Sequence, residues 1–400
     1  MKLPLSASTS TTPLTYAILG CAAGIAQSHL AALRRLPDTR IVGMADLDTE
    51  RGAAQAAHTG CPFFADHHDL LAALHPDIAI ICAPHPAHAA LALDCLAAGC
   101  HALVEKPLAV EMAEADTLIA AADAANRLLA VNFQQRFLPA VERARRLIAA
   151  GDLGPLVRTL CVEPWFRTDA YYRSAPWRGT WRGEGGGVLM NQGAHTLDLL
   201  CLLAGSPTQV HGWTRTLAHR IETEDTAQAL LEYPNGAPGY VYVGTGEAGG
   251  PRRLEIVGDR GAIELIGGKL IIRRFRPALS VFRSSSPALF AQPVIARRVA
   301  RQRPGDGGGH LAVHRDLRDA IRTGRPPRCD AREARRSLEL ANAIIASGTT
   351  GQSVTLPLDR PAYSALLADL RAGRPVAPWP AAPAIRAAAP PTEPRAEATE

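Results

Sequence analysis

The sequence lacks paired cysteines. Its eight, Cys21, Cys61, Cys82, Cys95, Cys100, Cys161, Cys201 and Cys329, are dispersed without a CxxC spacing, and most lie in apolar stretches. A free cysteine there behaves as a small hydrophobe, so a disulfide framework is excluded and no metal is expected. No uninterrupted apolar run reaches the roughly 18 residues of a membrane span. The opening MKLPLSASTSTTPLT carries one lysine and no long apolar core, which makes it a poor signal peptide. No membrane contact is therefore expected, and a cytoplasmic location is. Aromatic residues are scarce at 5%, and the densest basic cluster, near 272–303, has no regular aromatic interleaving. The net charge of +5 is spread over scattered arginines. Nucleic acid is thus not the expected partner; the cluster reads as a solvated insertion or a contact with another subunit.

The 400 residues suffice for two domains with sizeable cores. Residues 1–14 are rich in Ser, Thr and Pro, and the tail 373–400 is low-complexity Pro/Ala sequence expected to bury little. Between them the pattern changes once. From 15 to 150, the apolar runs TYAILG, RIVGMAD, DIAIICAP, HALVEKP and LLAVNF alternate with Ala/Leu-rich helical stretches. Such runs indicate a parallel sheet covered on both faces. From 151 to 360, strand-like runs follow one another, with the turn signals PNG, GDRG and GGK between several of them. The expected fold class is α/β: an N-terminal doubly wound parallel sheet, then a C-terminal α+β domain with a large, mainly antiparallel open sheet.

The first strand-to-helix turn reads AILGCAAGIAQSHLAAL. Glycines there let backbone approach a pyrophosphate at a helix N-terminus. Gly20 is in place, Ala22 takes the middle glycine position, and the loop to Gly24-Ile25-Ala26 is one residue longer than the usual fingerprint. Asp46 ends the second strand about 26 residues after Gly20, where a carboxylate can bind ribose hydroxyls. Arg51 falls further into the next helix and offers no counter-charge for a 2′-phosphate. Glu105-Lys106-Pro107 follows an apolar strand, at the sheet edge where ligands bind. The run GEGGGVLMNQGAHTLDLL, residues 183–200, reads as a glycine-opened apolar helix. Asn191, His195 and Asp198 would form one polar stripe on it, with Asn191 orienting His195 and Asp198 either supplying charge or satisfying backbone.

Taken in order, ILGCAAGIAQSHL, ADLDTERG, IICAPHPAHAALALDCLAAGCHALVEKPLA, NFQQRFLP and GGGVLMNQGAHTLDLL resemble the glucose–fructose oxidoreductase / inositol dehydrogenase / MocA (Gfo/Idh/MocA) family. The resemblance implies a Rossmann domain that binds NAD, with NADP disfavoured by Asp46. It places Gly20, Cys21, Ala22, Ala23, Gly24, Ile25 and Ala26 at the pyrophosphate. Ala83, Pro84, His85, His88, Glu105, Lys106 and Gln134 fall on the nicotinamide side. Lys106, His195 and Asn191 would be catalytic, and Lys106, Arg178, Asn191 and His195 would meet the substrate. Arg167 or Arg173 could also hold a phosphate or carboxylate. The implied partners are a sugar, cyclitol or nucleotide sugar, and a second copy joined through the C-terminal sheet as a homodimer or homotetramer. The implied activity is hydride transfer at a CH–OH carbon. An NAD-assisted glycosidase and a non-enzymatic NAD(P)-binding regulator remain alternatives on the same scaffold.

Overall fold

The computed structural model describes residues 12–301 and 308–379. Six strands form the first sheet: β1 (Leu14–Leu19), β2 (Thr39–Ala45), β3 (Phe63–Phe64), β4 (Ile78–Ile81), β5 (His101–Val104) and β6 (Leu129–Val131). Every residue of β4 is buried, as expected of a strand covered by helices on both faces. All pairings are parallel and the order is β3-β2-β1-β4-β5-β6. This is the order of a dinucleotide-binding sheet, and the chain reverses direction between β1 and β4, where such sheets bind ligands. Gly20 stands at that point with φ +83°, and a Cβ there would meet Ala83 N at 2.7 Å and the Cys82 carbonyl carbon at 2.8 Å. Only glycine fits.

Nine strands form the second sheet: β7 (Leu156–Pro164), β8 (Gln209–Arg215), β9 (Thr226–Glu232), β10 (Pro238–Gly244), β11 (Arg253–Gly258), β12 (Gly261–Ile266), β13 (Lys269–Arg276), β14 (Val294–Arg301) and β15 (Val354–Thr355). Their order is β14-β13-β12-β11-β7-β10-β9-β8-β15, antiparallel except where β10 lies parallel to β7. Burial alternates along β9, so one face packs on helices and the other is open. Gly267 and Gly268, both at positive φ, close the tight turn between β12 and β13. Part of the basic stretch is thus sheet: β13 and β14 flank the helix Leu279–Ser285. β14 is almost wholly exposed at the sheet edge, and its three arginines suit an unpaired edge.

The chain then returns to its beginning. Helix Gly309–Thr323 packs beside the first helix, Ala26–Leu33, and helix Ala331–Thr350 lies between the two sheets. Val131 N donates to Cys329 O at 3.0 Å, tying the edge of the first sheet to residues from the far end. No helix among the described residues is long and apolar enough to cross a membrane.

The start of the tail departs from expectation. Trp379 is only 7% exposed and Val376 packs against the core, so residues 373–379 dock on the fold. Residues 380–400, like 1–11, lie outside the described residues. Burying one large apolar side chain is worth about 2 kcal/mol. A chain ending at 372 should therefore melt about 3 °C below one ending at 379. Equal melting temperatures in a calorimetric scan would show that the contact contributes nothing.

Candidate active site

Lys106 leaves the carboxyl end of β5 and reaches across to the second half of the chain. Its Nζ donates to Asn191 O at 2.9 Å and to Asn191 Oδ1 at 3.1 Å. The Asn191 amide Nδ2 donates to Glu184 Oε1 at 2.5 Å and to the Tyr171 hydroxyl at 3.1 Å. Gln192 Nε2 and Arg178 Nη1 also donate to that hydroxyl, at 3.1 and 2.6 Å. Glu184 and Gln192 are buried, and Lys106, Asn191, Tyr171 and Arg178 are half-buried. Burial lowers the Lys106 pKa, opposed by the Glu105 and Glu184 carboxylates. Burial raises the Glu184 pKa against the hydrogen bonds from Gly179 N and Asn191.

The expected polar stripe is not formed. The helix spans only Ala194–Ala204, and the glycines before it make an irregular turn. Gly185 and Gly186 adopt φ of +72° and +158°. Gly187 lies against residue 224 so closely that a Cβ would stand 1.9 Å from Glu224 O. The Glu224 carboxylate holds this turn by accepting from Gly187 N at 2.8 Å and Leu189 N at 3.2 Å. Asn191 therefore precedes the helix and turns toward Lys106 rather than orienting His195. Asp198 does lie one helical turn after His195, but it faces away. Arg136 grips it through Nε to Oδ2 at 2.8 Å and Nη2 to Oδ1 at 2.6 Å, both side chains 2% exposed. Asp198 fixes the helix to residues 134–137 and supplies no charge to His195.

His195 is buried with Nδ1 unpartnered, and its ring packs edge-on against Phe133 with centroids 5.7 Å apart. Burial, reinforced by the Lys106 charge, lowers its pKa to about 3. The imidazole is neutral at ordinary pH.

The Gly20 turn lies at the other end of the crevice. The first helix begins at Ala26 without a side-chain cap; its Ala26, Gln27 and Ser28 N–H groups donate back to Ala23, Gly24 and Ile25 O, which leaves the Gly24 and Ile25 N–H groups of the turn without a partner among the described residues. A Cβ on Gly24 would meet nothing within 4 Å, which marks open space above the turn. Asp46 closes the turn by accepting from Ala22 N at 2.7 Å and Asp48 N at 2.9 Å. Arg51 departs from expectation: its Nη2 folds back onto Ala22 O at 2.7 Å, beside Asp46. His88 points its two ring nitrogens at Pro107 O and Ala83 O, at 2.7 and 2.8 Å. It clamps the two loops that flank the crevice. His85 Nδ1 faces Glu184 O at 3.2 Å. Gln134 Oε1 is a buried acceptor without a partner. Glu105 turns inward, where His29 Nε2 lies 2.9 Å and Asn132 Nδ2 2.5 Å from its Oε1. Although burial pushes the Glu105 carboxyl up, its hydrogen bond to His29 and the His310 ring nitrogen 3.7 Å away hold it well below the usual range.

The structure brings Lys106, Asn191 and Arg178 together, with His195 close enough to feel the Lys106 charge. Arg173 stays outside, exposed and 4.0 Å from Asp169. Sequence reading missed Glu184, Tyr171 and Arg136. The available signal for Glu184 was chemical: a neutral asparagine at 191 leaves the lysine without an acid partner, and the nearest glutamate precedes the three glycines.

The comparisons agree with this geometry. Residues 14–133 match the family model for an oxidoreductase family with an NAD-binding Rossmann fold, and residues 141–264 match the GFO/IDH/MocA C-terminal domain. The chain is 29% identical over 220 residues to the mouse trans-1,2-dihydrobenzene-1,2-diol dehydrogenase, covering 54% of this chain and 64% of that enzyme, just under two thirds. The Xenopus laevis protein of the same name is 30% identical over 250 residues, covering 61% of this chain and 73% of that one. Among solved structures, the WlbA dehydrogenase from Bordetella pertussis, in complex with NADH and UDP-GlcNAcA, superposes with a TM-score of 0.74 at 29% identity. That match covers 87% of this chain and all of the other. Sheet order, glycine turn and matched segments together establish that the chain belongs to the Gfo/Idh/MocA oxidoreductase family.

Proposed function

We propose that this protein is an NAD-dependent oxidoreductase acting on a CH–OH carbon of a sugar-like substrate. One observation carries the reading: an ammonium group with an unused N–H, close to a neutral imidazole, at the carboxyl edge of a dinucleotide-type sheet. The residues present fit the cofactor. Within the Gly20–Ala26 turn, Gly24 and Ile25 offer unpaired N–H groups to a pyrophosphate, Asp46 offers carboxylate lone pairs to the adenosine ribose, and Gln134 Oε1 offers an acceptor to a carboxamide. When bound, NAD supplies the hydride acceptor.

Two of the three Lys106 N–H groups are spent on Asn191, and the third is left for the substrate oxygen. It stabilises negative charge as the hydroxyl becomes alkoxide-like. His195, neutral and with Nδ1 sealed off, presents Nε2 to the hydroxyl as a hydrogen-bond acceptor that positions it. Glu184 supplies the acid partner through Asn191, keeping the amide oxygen turned to Lys106. The exposed face of the second sheet carries Val157, Trp213 and Leu230, which suits association with a second copy.

A panel of sugars, polyols and nucleotide sugars with NAD or NADP, followed at 340 nm, tests the reading. NADH formation with an oxidised product is expected for at least one of them, with NAD favoured over NADP by Asp46. Release of an aglycone without net NADH would replace this reading by a glycosidase. Cofactor binding without turnover of any compound would favour a regulator.

A further inference from the structure

Two consecutive histidines open the helix His67–Leu74, and both rings stand between two carboxylates. The ring centroids are 3.9 Å apart. On one side, Asp66 Oδ1 lies 3.0 Å from His68 Nδ1 and 3.5 Å from His67 Nδ1. On the other, Asp94 Oδ2, carried by the helix His88–Ala97, lies 2.9 Å from His67 Nε2 and 3.5 Å from His68 Nε2. Asp66 Oδ1 also caps the first of these helices by accepting from His68 N at 2.8 Å, which pins the carboxylate in place. His68 and Asp66 are exposed and His67 and Asp94 are half-buried, so the group is open to solvent. None of the four takes part in the Lys106 cluster.

Neutral rings fit this arrangement poorly. A neutral imidazole has one N–H and one lone pair, so a ring that donates to one carboxylate aims a lone pair at the other. A cation on the Asp66 side removes the conflict. Both Nδ1 lone pairs and the Asp66 carboxylate then face the ion, and both Nε2–H groups are left for Asp94. The spacing suits it. Ligands about 2.0–2.1 Å from a four-coordinate Zn²⁺ stand about 3.3 Å from one another, between the 3.0 and 3.5 Å that separate Asp66 Oδ1 from the two rings. One donor atom from each of Asp66, His67 and His68 lies within 4.8 Å of the other two. A carboxylate that accepts the far N–H of a ligating imidazole is the usual support of such a site, and Asp94 serves both rings. The sequence gave no sign of it, because the four residues include no cysteine and adjacent histidines lack the spacing of a metal motif.

We propose that Asp66, His67 and His68 bind a divalent transition-metal ion of the zinc type, with Asp94 orienting both imidazoles from behind and water completing the coordination. Two imidazoles and a carboxylate select such an ion over Mg²⁺, which takes oxygen ligands. The bound ion ties the start of one helix to the side of the next, so it acts on the fold rather than on the reaction.

The test uses the full chain, untagged and stripped of metal with a chelator, titrated with Zn²⁺ and with Mg²⁺ in a calorimeter. One Zn²⁺ per chain should bind, and Mg²⁺ should give no saturable heat. His68→Gln should weaken Zn²⁺ binding at least about tenfold and Asp94→Asn about tenfold, whereas His58→Gln, outside the cluster, should leave it unchanged. Co²⁺ in place of Zn²⁺ should show d–d absorption without a thiolate charge-transfer band, which separates this site from the cysteines. Absence of saturable Zn²⁺ binding, an unchanged affinity in His68→Gln or Asp94→Asn, or a thiolate band overturns the proposal.

Discussion

Lys106→Met is expected to lower kcat by about a thousandfold or more while leaving NADH affinity within about twofold. Methionine matches the length and burial of the lysine but removes the charge and every N–H. Loss of one preorganised donor at a developing oxyanion costs about 10²–10³ in rate, and loss of the charge adds to it. The cofactor contacts assigned to the Gly20 turn and Asp46 stand elsewhere in the crevice and are untouched. A second consequence has the opposite sign. Burial already penalises the charged lysine, so the methionine variant should melt at a higher temperature than the parent. Single-turnover kinetics and calorimetry check both halves. Near-normal turnover would mean that Lys106 takes no part in proton or charge transfer and that the chemistry lies elsewhere.

Acidification from pH 7.5 to 5.5 should destabilise the fold. Burial is the leading cause that lowers five histidines below their ordinary 6.5: His29, His85 and His314, with His101 to about 4 and His195 to about 3. His88, whose two ring nitrogens both face carbonyl oxygens, is held toward its protonated form by those bonds and does not join them. Between those values and 6.5 the unfolded chain binds protons that the folded chain refuses, so stability rises with pH. His101 and His195 are each worth about 1.4 kcal/mol over that acidification, and the other lowered histidines add in the same direction. Glu224 acts the other way. Burial raises its carboxyl from 4.5 to about 7, so the folded state gains about 2 kcal/mol from it over the same acidification. Glu163, Glu184 and Asp198 are also raised by burial and share that sign. The histidines outweigh them in this window. The melting temperature should fall between pH 7.5 and 5.5; a flat profile, or a maximum near pH 5.5, would contradict the neutral assignment of these rings.

The first sheet was legible because each of its longer strands is an uninterrupted apolar run, as IAII of β4 shows, and each is punctuated by a helix. The position of Lys106 was legible too, because a residue directly after a parallel strand has only one edge to occupy. The direction of Asn191 was not. Helical spacing assigns it to the face of His195, but three consecutive glycines stop the helix from starting before residue 194. What turns the segment is the buried Glu224 carboxylate, 37 residues from Gly187, and local spacing carries no trace of it. Asp198 illustrates the converse: its helical position was read correctly, but its partner Arg136 stands 62 residues earlier. β14 escaped because arginines replace the apolar alternation on an edge strand, and β13 because its second half, RRFR, reads as part of the same basic run. Trp379 escaped because one aromatic in a Pro/Ala tract barely changes the composition.

The hydrogen bond from Val131 to Cys329, and the helix Gly309–Thr323 laid beside the first helix, set a timetable for synthesis. The parallel sheet is fully translated by residue 131, but one of its edges and the outer side of its first helix wait for segments about 200 residues downstream. At about 5–20 residues per second, the ribosome takes roughly 10–40 s to deliver them. Over that interval the nascent N-terminal half carries uncovered apolar surface and an unpaired strand edge. Those are the features that chaperones bind and that neighbouring nascent chains can pair with. Expression at lower temperature or with added chaperone should therefore raise the soluble yield of the full chain, and still more that of fragments ending before residue 309.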